Sequence, residues 1–268
     1  LHSTADGQRW LGMDYGVSVM DLFHPFTYFY DFRGDFGTGY TAALKDELFY
    51  LGTNQGLYFS AWADLSNNQP FFNFQLIPHT EGQVWSLEQV DHDLLMGHDH
   101  GLFVVREASV KRIGQQEGIW TITPYKEYLL TGNYNGISVY RKEGDSWLYE
   151  KNMNYILGSC NQLLIEKDNI LWVNIPNYGI IRAELDEQLN PAKRTIFPLE
   201  LFTGEDPVLH LTDKKINIKT DRHIYVFDEI SGDFAMERIR EQNLLEPGFL
   251  SGFYLPRSLN QQYVFYPV

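Results

Sequence analysis

One short pattern recurs six times along this 268-residue chain. It reads apolar run, small residue, a few mostly polar residues, glycine, apolar run. The copies run from Trp10-Leu11-Gly12 to Gly16-Val17, from Tyr50-Leu51-Gly52 to Gly56-Leu57, and from Leu95-Met96-Gly97 to Gly101-Leu102. They continue from Leu130-Thr131-Gly132 to Gly136-Ile137, from Trp172-Val173-Asn174 to Gly179-Ile180, and from Ile218-Lys219 to His223-Ile224. The second glycine, or the residue in its place, falls at positions 16, 56, 101, 136, 179 and 223. A repeat of about 40 residues built from short apolar runs matches one four-stranded blade. The pattern predicts an all-β protein: a β-propeller of four-stranded antiparallel blades, with six repeats and room for six or seven blades.

Each repeat reads as strands A to D, with B before the turn and C after the second glycine. The turns carry Asp14, Asn54, Asp99, Asn133, Asn135 and Asp221. These residue types tolerate positive φ and favour tight hairpins. The fifth copy has one extra turn residue, and the sixth has Lys219 and His223 where glycines are expected. Strand A is expected at 40–44, 84–89, 119–124, 160–166 and 208–212. Strand D is expected at 26–32, 71–77, 110–113, 147–151, 194–199 and 234–239. The first repeat lacks a strand A of its own. Segment 249–255 is expected to supply it, because a ring hides its open edges by completing one blade from both chain ends. Segment 262–266 reads as a surplus strand B, and 237–245 is the only weakly helical stretch.

Composition narrows the function. Hydrophobic residues make up 44% of the chain, with 18 Phe, 17 Tyr and 6 Trp, so a large core is available and disorder is excluded. The net charge of −14 excludes a phosphate-backbone binder, so no nucleic-acid partner is expected in this segment. It is compatible with neutral or cationic ligands. A single cysteine, Cys160, excludes an internal disulfide framework, and its apolar surroundings predict a buried, inert thiol. No run of eighteen apolar residues exists, so no membrane contact is expected here. Residues 1–268 read as one domain. The opening at Leu1 inside a repeat reads as a fragment of a longer protein.

The repeat resembles the two-component regulator propeller repeat. The resemblance rests on Phe49-Tyr50-Leu51-Gly52-Thr53-Asn54-Gln55-Gly56-Leu57-Tyr58 and on Arg9-Trp10-Leu11-Gly12-Met13-Asp14-Tyr15-Gly16-Val17. Strand A and its lead-in match in Glu81-Gly82-Gln83-Val84-Trp85-Ser86-Leu87 and Glu117-Gly118-Ile119-Trp120-Thr121-Ile122. The resemblance implies the periplasmic sensor region of a bacterial hybrid two-component system. It also implies an oligosaccharide or other small polar ligand, a homodimer formed through the parent protein, and an inner-membrane anchor and kinase outside this segment. Similar repeats in cytoplasmic regulators leave that compartment as the alternative.

In a propeller the B–C and D–A loops share one face around the channel mouth, the natural place for a ligand. Sugar faces stack on aromatic rings, and sugar hydroxyls pair with polar side chains. The candidate ligand-binding residues are Tyr15, Tyr134 and Tyr178 in the B–C turns, and Arg33, Tyr40, Trp85 and Trp120 in the D–A loops and strand A starts. His98 and His100 join them from the sharpest local cluster, His98-Asp99-His100. Loop shielding and core packing explain the same aromatics without a ligand. No cofactor and no metal is assigned: two histidines flanking a turn aspartate lack the fixed ligand spacing of a closed metal site. No Gly-x-Ser-x-Gly, P-loop or His-Glu-x-x-His motif is present, so no catalytic residue is assigned. A dimerising scaffold without a small ligand, and more remotely a lyase or hydrolase, are the competing readings.

Overall fold

The computed structural model describes residues 2–3, 8–13 and 16–21 as backbone, and residues 34–66, 73–154, 156–167, 169–212, 215–220 and 222–237. The chain forms two compact units, Leu1–Arg33 and Gly34–Val268. The first holds one antiparallel sheet of β1 (His2–Ser3), β2 (Gln8–Met13) and β3 (Gly16–Asp21), in that order. His2 pairs with Trp10 and Ser3 with Arg9. The first repeat therefore does carry a strand in the A position. Two polar residues leave no hydrophobic alternation to detect, which is why the sequence pattern misses it.

The second unit holds five four-stranded sheets in chain order. Blade two is β4 (Gly39–Lys45), β5 (Leu48–Thr53), β6 (Leu57–Ala61) and β7 (Gln75–Leu76). Blade three is β8 (Val84–Val90), β9 (Asp93–His98), β10 (Gly101–Arg106) and β11 (Ser109–Ile113). Blade four is β12 (Thr121–Tyr125), β13 (Tyr128–Asn133), β14 (Gly136–Glu143) and β15 (Ser146–Asn152). Blade five is β16 (Gln162–Lys167), β17 (Ile170–Ile175), β18 (Gly179–Leu185) and β19 (Pro191–Pro198). Blade six is β20 (Val208–Thr212), β21 (Lys215–Lys219), β22 (Ile224–Asp228) and β23 (Asp233–Glu237). Within each sheet every strand pairs with its sequence neighbour. The meander and the expected A and D strands of this unit are present. One short helix, α1 (Trp62–Ser66), follows β6 where none is expected, and five residues are too few to display a helical period. Segments 26–32, 238–245, 249–255 and 262–266 lie outside the described residues.

The core lies between sheets. Ala43, Tyr50, Leu57 and Ile77 of blade two pack with Val84, Leu94, Met96 and Phe103 of blade three. Leu95, Leu102 and Ile113 of blade three pack with Ile122, Leu129, Tyr140 and Trp147 of blade four. Leu130 and Val139 of blade four pack with Leu163, Leu171 and Val173 of blade five. Trp172, Ile180 and Phe197 of blade five pack with Leu209, Ile218 and Tyr225 of blade six. Alternate residues of one strand B thus serve two different cores: Leu94 and Met96 face backward, Leu95 forward. A strand buried on both faces must be apolar throughout, which is the continuous run seen in the sequence. Each such Leu or Ile contributes about 2 kcal/mol on burial. Cys160 belongs to the core between blades four and five, and burial pushes its thiol up to about 12.

The small residue ending that run has a packing cause. A Cβ on Gly97 would lie 2.6 Å from the Ile119 carbonyl, and one on Gly132 would collide with the Cys160 carbonyl. Both carbonyls belong to the lead-in of the next blade's strand A. In blade five Asn174 takes this position and meets the approaching Pro207 carbonyl with an Nδ2–H donor at 2.6 Å.

Asp93, buried at the start of β9, ties blade three to blade four. It accepts from Trp147 Nε1–H at 3.1 Å and lies 3.6 Å from Lys142 Nζ, while Arg106 of its own blade reaches it at 2.5 Å. Burial alone would push its carboxyl up. The hydrogen bonds from Trp147 and Arg106, with the charges of Arg106 and Lys142, hold it below the ordinary carboxylate value. Its stabilisation is therefore fully present above about pH 3.9 and is lost as pH falls through the lower folded value.

Two outcomes follow from this packing. Gly132→Ala, at a position with ordinary backbone, should cost about 3 kcal/mol in urea unfolding through overpacking alone. Asp93→Asn should flatten the acid limb of the stability–pH curve below about pH 4 and lower stability at neutral pH. An unchanged acid limb would remove Asp93 from the list of blade ties.

Candidate functional site

The B–C hairpins and the D–A connections meet at one end of the blades. Gly82 N–H donates to Gln55 O at 3.3 Å, Gly118 N–H to Asp99 O at 2.7 Å, and Cys160 N–H to Asn133 O at 3.0 Å. Each bond ties the lead-in of one blade to the hairpin of the blade before it. In blades two, four and six the hairpin is capped by a side chain at or just after the end of strand B, while in blade five the backbone carbonyl of Ile175 accepts from Tyr178 N–H instead. Thr53 Oγ1 accepts from Gln55 N–H at 3.0 Å, Asn133 Oδ1 from Asn135 N–H at 2.9 Å, and Thr220 Oγ1 from His223 N–H at 3.2 Å.

His98 occupies this capping position in blade three. It is 1% exposed. Its Nδ1 accepts from His100 N–H at 2.9 Å, which leaves Nε2–H to donate to Thr80 O at 3.2 Å. Asp99 Oδ1 also lies 2.5 Å from Nδ1, a contact that becomes an ion pair only on protonation of the ring. Burial is the largest influence and holds the ring below the ordinary histidine value, so the neutral acceptor is the resting form. His98 is thus a cap and a tie to the blade-two connection, while His100 stands exposed. Among the described residues no group of three or more His, Cys, Asp or Glu converges as a metal-ligand set.

Above this frame four of the candidate residues come together. Tyr40 stacks on Trp85 with centroids 5.1 Å apart and rings tilted by 19°. Trp85 meets Trp120 at 4.1 Å, and Trp120 meets Tyr134 edge to face at 5.8 Å. The four rings form a ladder across blades two, three and four. Tyr40 and Trp85 hold the second positions of β4 and β8, and Trp120 directly precedes β12, so equivalent strand A starts set the spacing. The two ends are exposed, Tyr40 at 39% and Tyr134 at 43%, and the two tryptophans are partly buried. Tyr134 lies against Gly118, whose φ is +66° and where any Cβ would collide with the ring. The indole N–H groups of Trp85 and Trp120 are shielded and have no acceptor.

The ladder changes what stacking can do. Trp85 is flanked by Tyr40 and Trp120, so its faces are taken by protein. A ligand meets the edges of the tryptophans and the exposed terminal tyrosines. Tyr178 is 48% exposed on the blade-five hairpin, with no ring contact to the ladder. Leu157, 76% exposed in the connection before blade five, was not singled out by its sequence because a lone leucine carries no motif. Tyr15 and Arg33 lie outside the described residues.

No protein-family model and no curated protein matches the sequence. Solved structures do match in fold. The extracellular domain of BT4673 from B. thetaiotaomicron, described as a one-component system, is 14% identical with a TM-score of 0.61 over 90% of this chain and 36% of that one. The extracellular domain of BT3049 from the same organism, described as a hybrid two-component system, is 14% identical with a TM-score of 0.55, over 76% of this chain and 30% of that one. The WD40 β-propeller of Doa1 is 13% identical with a TM-score of 0.52, over 74% and 68% of the two chains. The chain spans about a third of the length of the two B. thetaiotaomicron domains. The fold is that of a β-propeller.

The double role of His98 gives a graded test. His98→Ala should lose both the hairpin cap and the Thr80 tie. His98→Asn should restore the cap, as Asn133 does in the next blade, and recover about 1 kcal/mol. Because its folded pKa is lowered, His98 stabilises fully above about pH 6.5, and that contribution fades as pH falls toward the folded value. The parent should lose stability from about pH 6.5 downward more steeply than His98→Asn, as read by thermal unfolding across pH.

Proposed function

We propose that this chain is the ligand-sensing propeller of a bacterial signalling regulator, non-enzymatic, and that its ligand is an oligosaccharide. The observation that carries the reading is the aromatic ladder, built at the loop end of three successive blades. Fold likeness to extracellular domains of one-component and hybrid two-component systems supports it. A carbohydrate suits the ladder because the exposed tyrosine rings and their hydroxyls match the C–H faces and hydroxyls of a sugar. The parent protein would place this segment in the periplasm, with the anchor and the output region elsewhere in its chain. Binding would favour one of two arrangements of a dimer and so bias the output.

One observation favours the scaffold reading as a second possibility. The outer strands β15 and β19 expose Leu148 at 46%, Tyr149 at 40% and Ile196 at 47%, an apolar rim suited to contact between copies.

Replacing the exposed ladder ends provides the check. Tyr40→Ala and Tyr134→Ala should each weaken oligosaccharide binding about tenfold in calorimetry, with little change in melting temperature, as loss of one aromatic stacking partner implies. Tyr149→Ala should leave that binding intact. Sugar binding undiminished in both ladder variants would move the site elsewhere.

A further inference from the structure

The surroundings of the ladder point to a ligand narrower than oligosaccharide in general. Three carboxylates belong to the hairpin and lead-ins that carry it: Asp99, Glu81 and Glu117. Asp99 touches Gly82, where a Cβ would lie 2.9 Å from its Oδ1, and its carbonyl holds Gly118. Gly118 in turn supports Tyr134. Glu81 and Glu117 immediately precede these two glycines in the chain, and both are exposed, Glu117 at 66%. The cation nearest Glu117 is Arg112, at 4.0 Å and partly exposed, too distant for a tight pair. Glu81 has no ion-pair partner among the described residues, and the chain as a whole carries −14. The flanking lead-ins thus carry uncompensated negative charge, and an anionic ligand would meet like charge on approach.

The geometry of the ladder adds a length requirement. Its accessible members are its two ends, and three ring-to-ring steps separate them. A single sugar ring covers about one such step, so it can reach Tyr40 or Tyr134 but not both. Trp85 and Trp120 between them present ring edges rather than open faces, and their N–H groups are shielded. A chain laid along the ladder crosses the tryptophan edges and sets C–H faces on both exposed ends.

We infer that the ladder from Tyr40 to Tyr134 selects an extended, uncharged glycan chain and rejects chains bearing uronic acid or sulfate. This rests on the sensor reading above. The test is an array of neutral oligosaccharides and matched uronic-acid oligosaccharides, from disaccharide to hexasaccharide, followed by calorimetry on the present chain. Affinity for a neutral chain should rise with length until both ladder ends are engaged, and the matched uronate should bind at least tenfold more weakly at low salt. Raising the salt should narrow that gap. The double variant Glu81→Gln, Glu117→Gln should shift the uronate-to-neutral affinity ratio about tenfold toward the uronate. A uronate binding as tightly as its neutral match, or a monosaccharide binding as tightly as the hexasaccharide, overturns this inference and leaves the sensor reading standing. Failure of every sugar on the array overturns both.

Discussion

The two-sided burial of strand B governs this architecture. β9, β13 and β17 each divide their side chains between the blade before and the blade after. No single blade can cover both faces of its own sheet, so stability comes from stacking neighbours, and the unit of cohesion is the gap between two blades. That requirement explains several local features at once. The strand is apolar without alternation. It ends in glycine, or in an asparagine that can donate, because the next blade's backbone arrives there. The residue after that caps the hairpin in four blades, where threonine, histidine and asparagine all do so with a side-chain acceptor.

The sequence makes the frame legible for the same reason. A strand buried on both faces and closed by a tight turn leaves a run of apolar residues and a glycine at fixed spacing, and four such units, blades two to five, are present in the second compact unit. Features that bury little leave little trace. β1 is two polar residues, and α1 is five residues filling a connection. The capping rule was written in Thr53, His98, Asn133 and Thr220, yet three residue types sharing one acceptor role do not look like a motif until the hairpins are seen side by side.

The site was legible as a set of residues but not as an arrangement. Tyr40, Trp85, Trp120 and Tyr134 lie far apart in the chain, and only the equivalence of the strand A starts brings them into one line. Their mutual stacking was not visible at all, and it alters the chemistry, since a ring covered by another ring cannot also hold a sugar face. His98 shows the opposite case. The cluster His98-Asp99-His100 suggests coordination when read along the chain, but one member is a buried turn cap and only His100 faces outward. Physical context separates the two: burial and a fixed backbone donor consume His98, and exposure leaves His100 free.

The solitary thiol carries a consequence for where such a blade stack can operate. Cys160 sits in the seam between blades four and five, with its proton held firmly by the apolar surroundings. A thiol that rarely ionises and is shut away from solvent neither seeks a disulfide partner nor yields to oxidants. The fold therefore has no redox preference. It can be exported into an oxidising compartment or kept in a reducing one without change in its covalent structure.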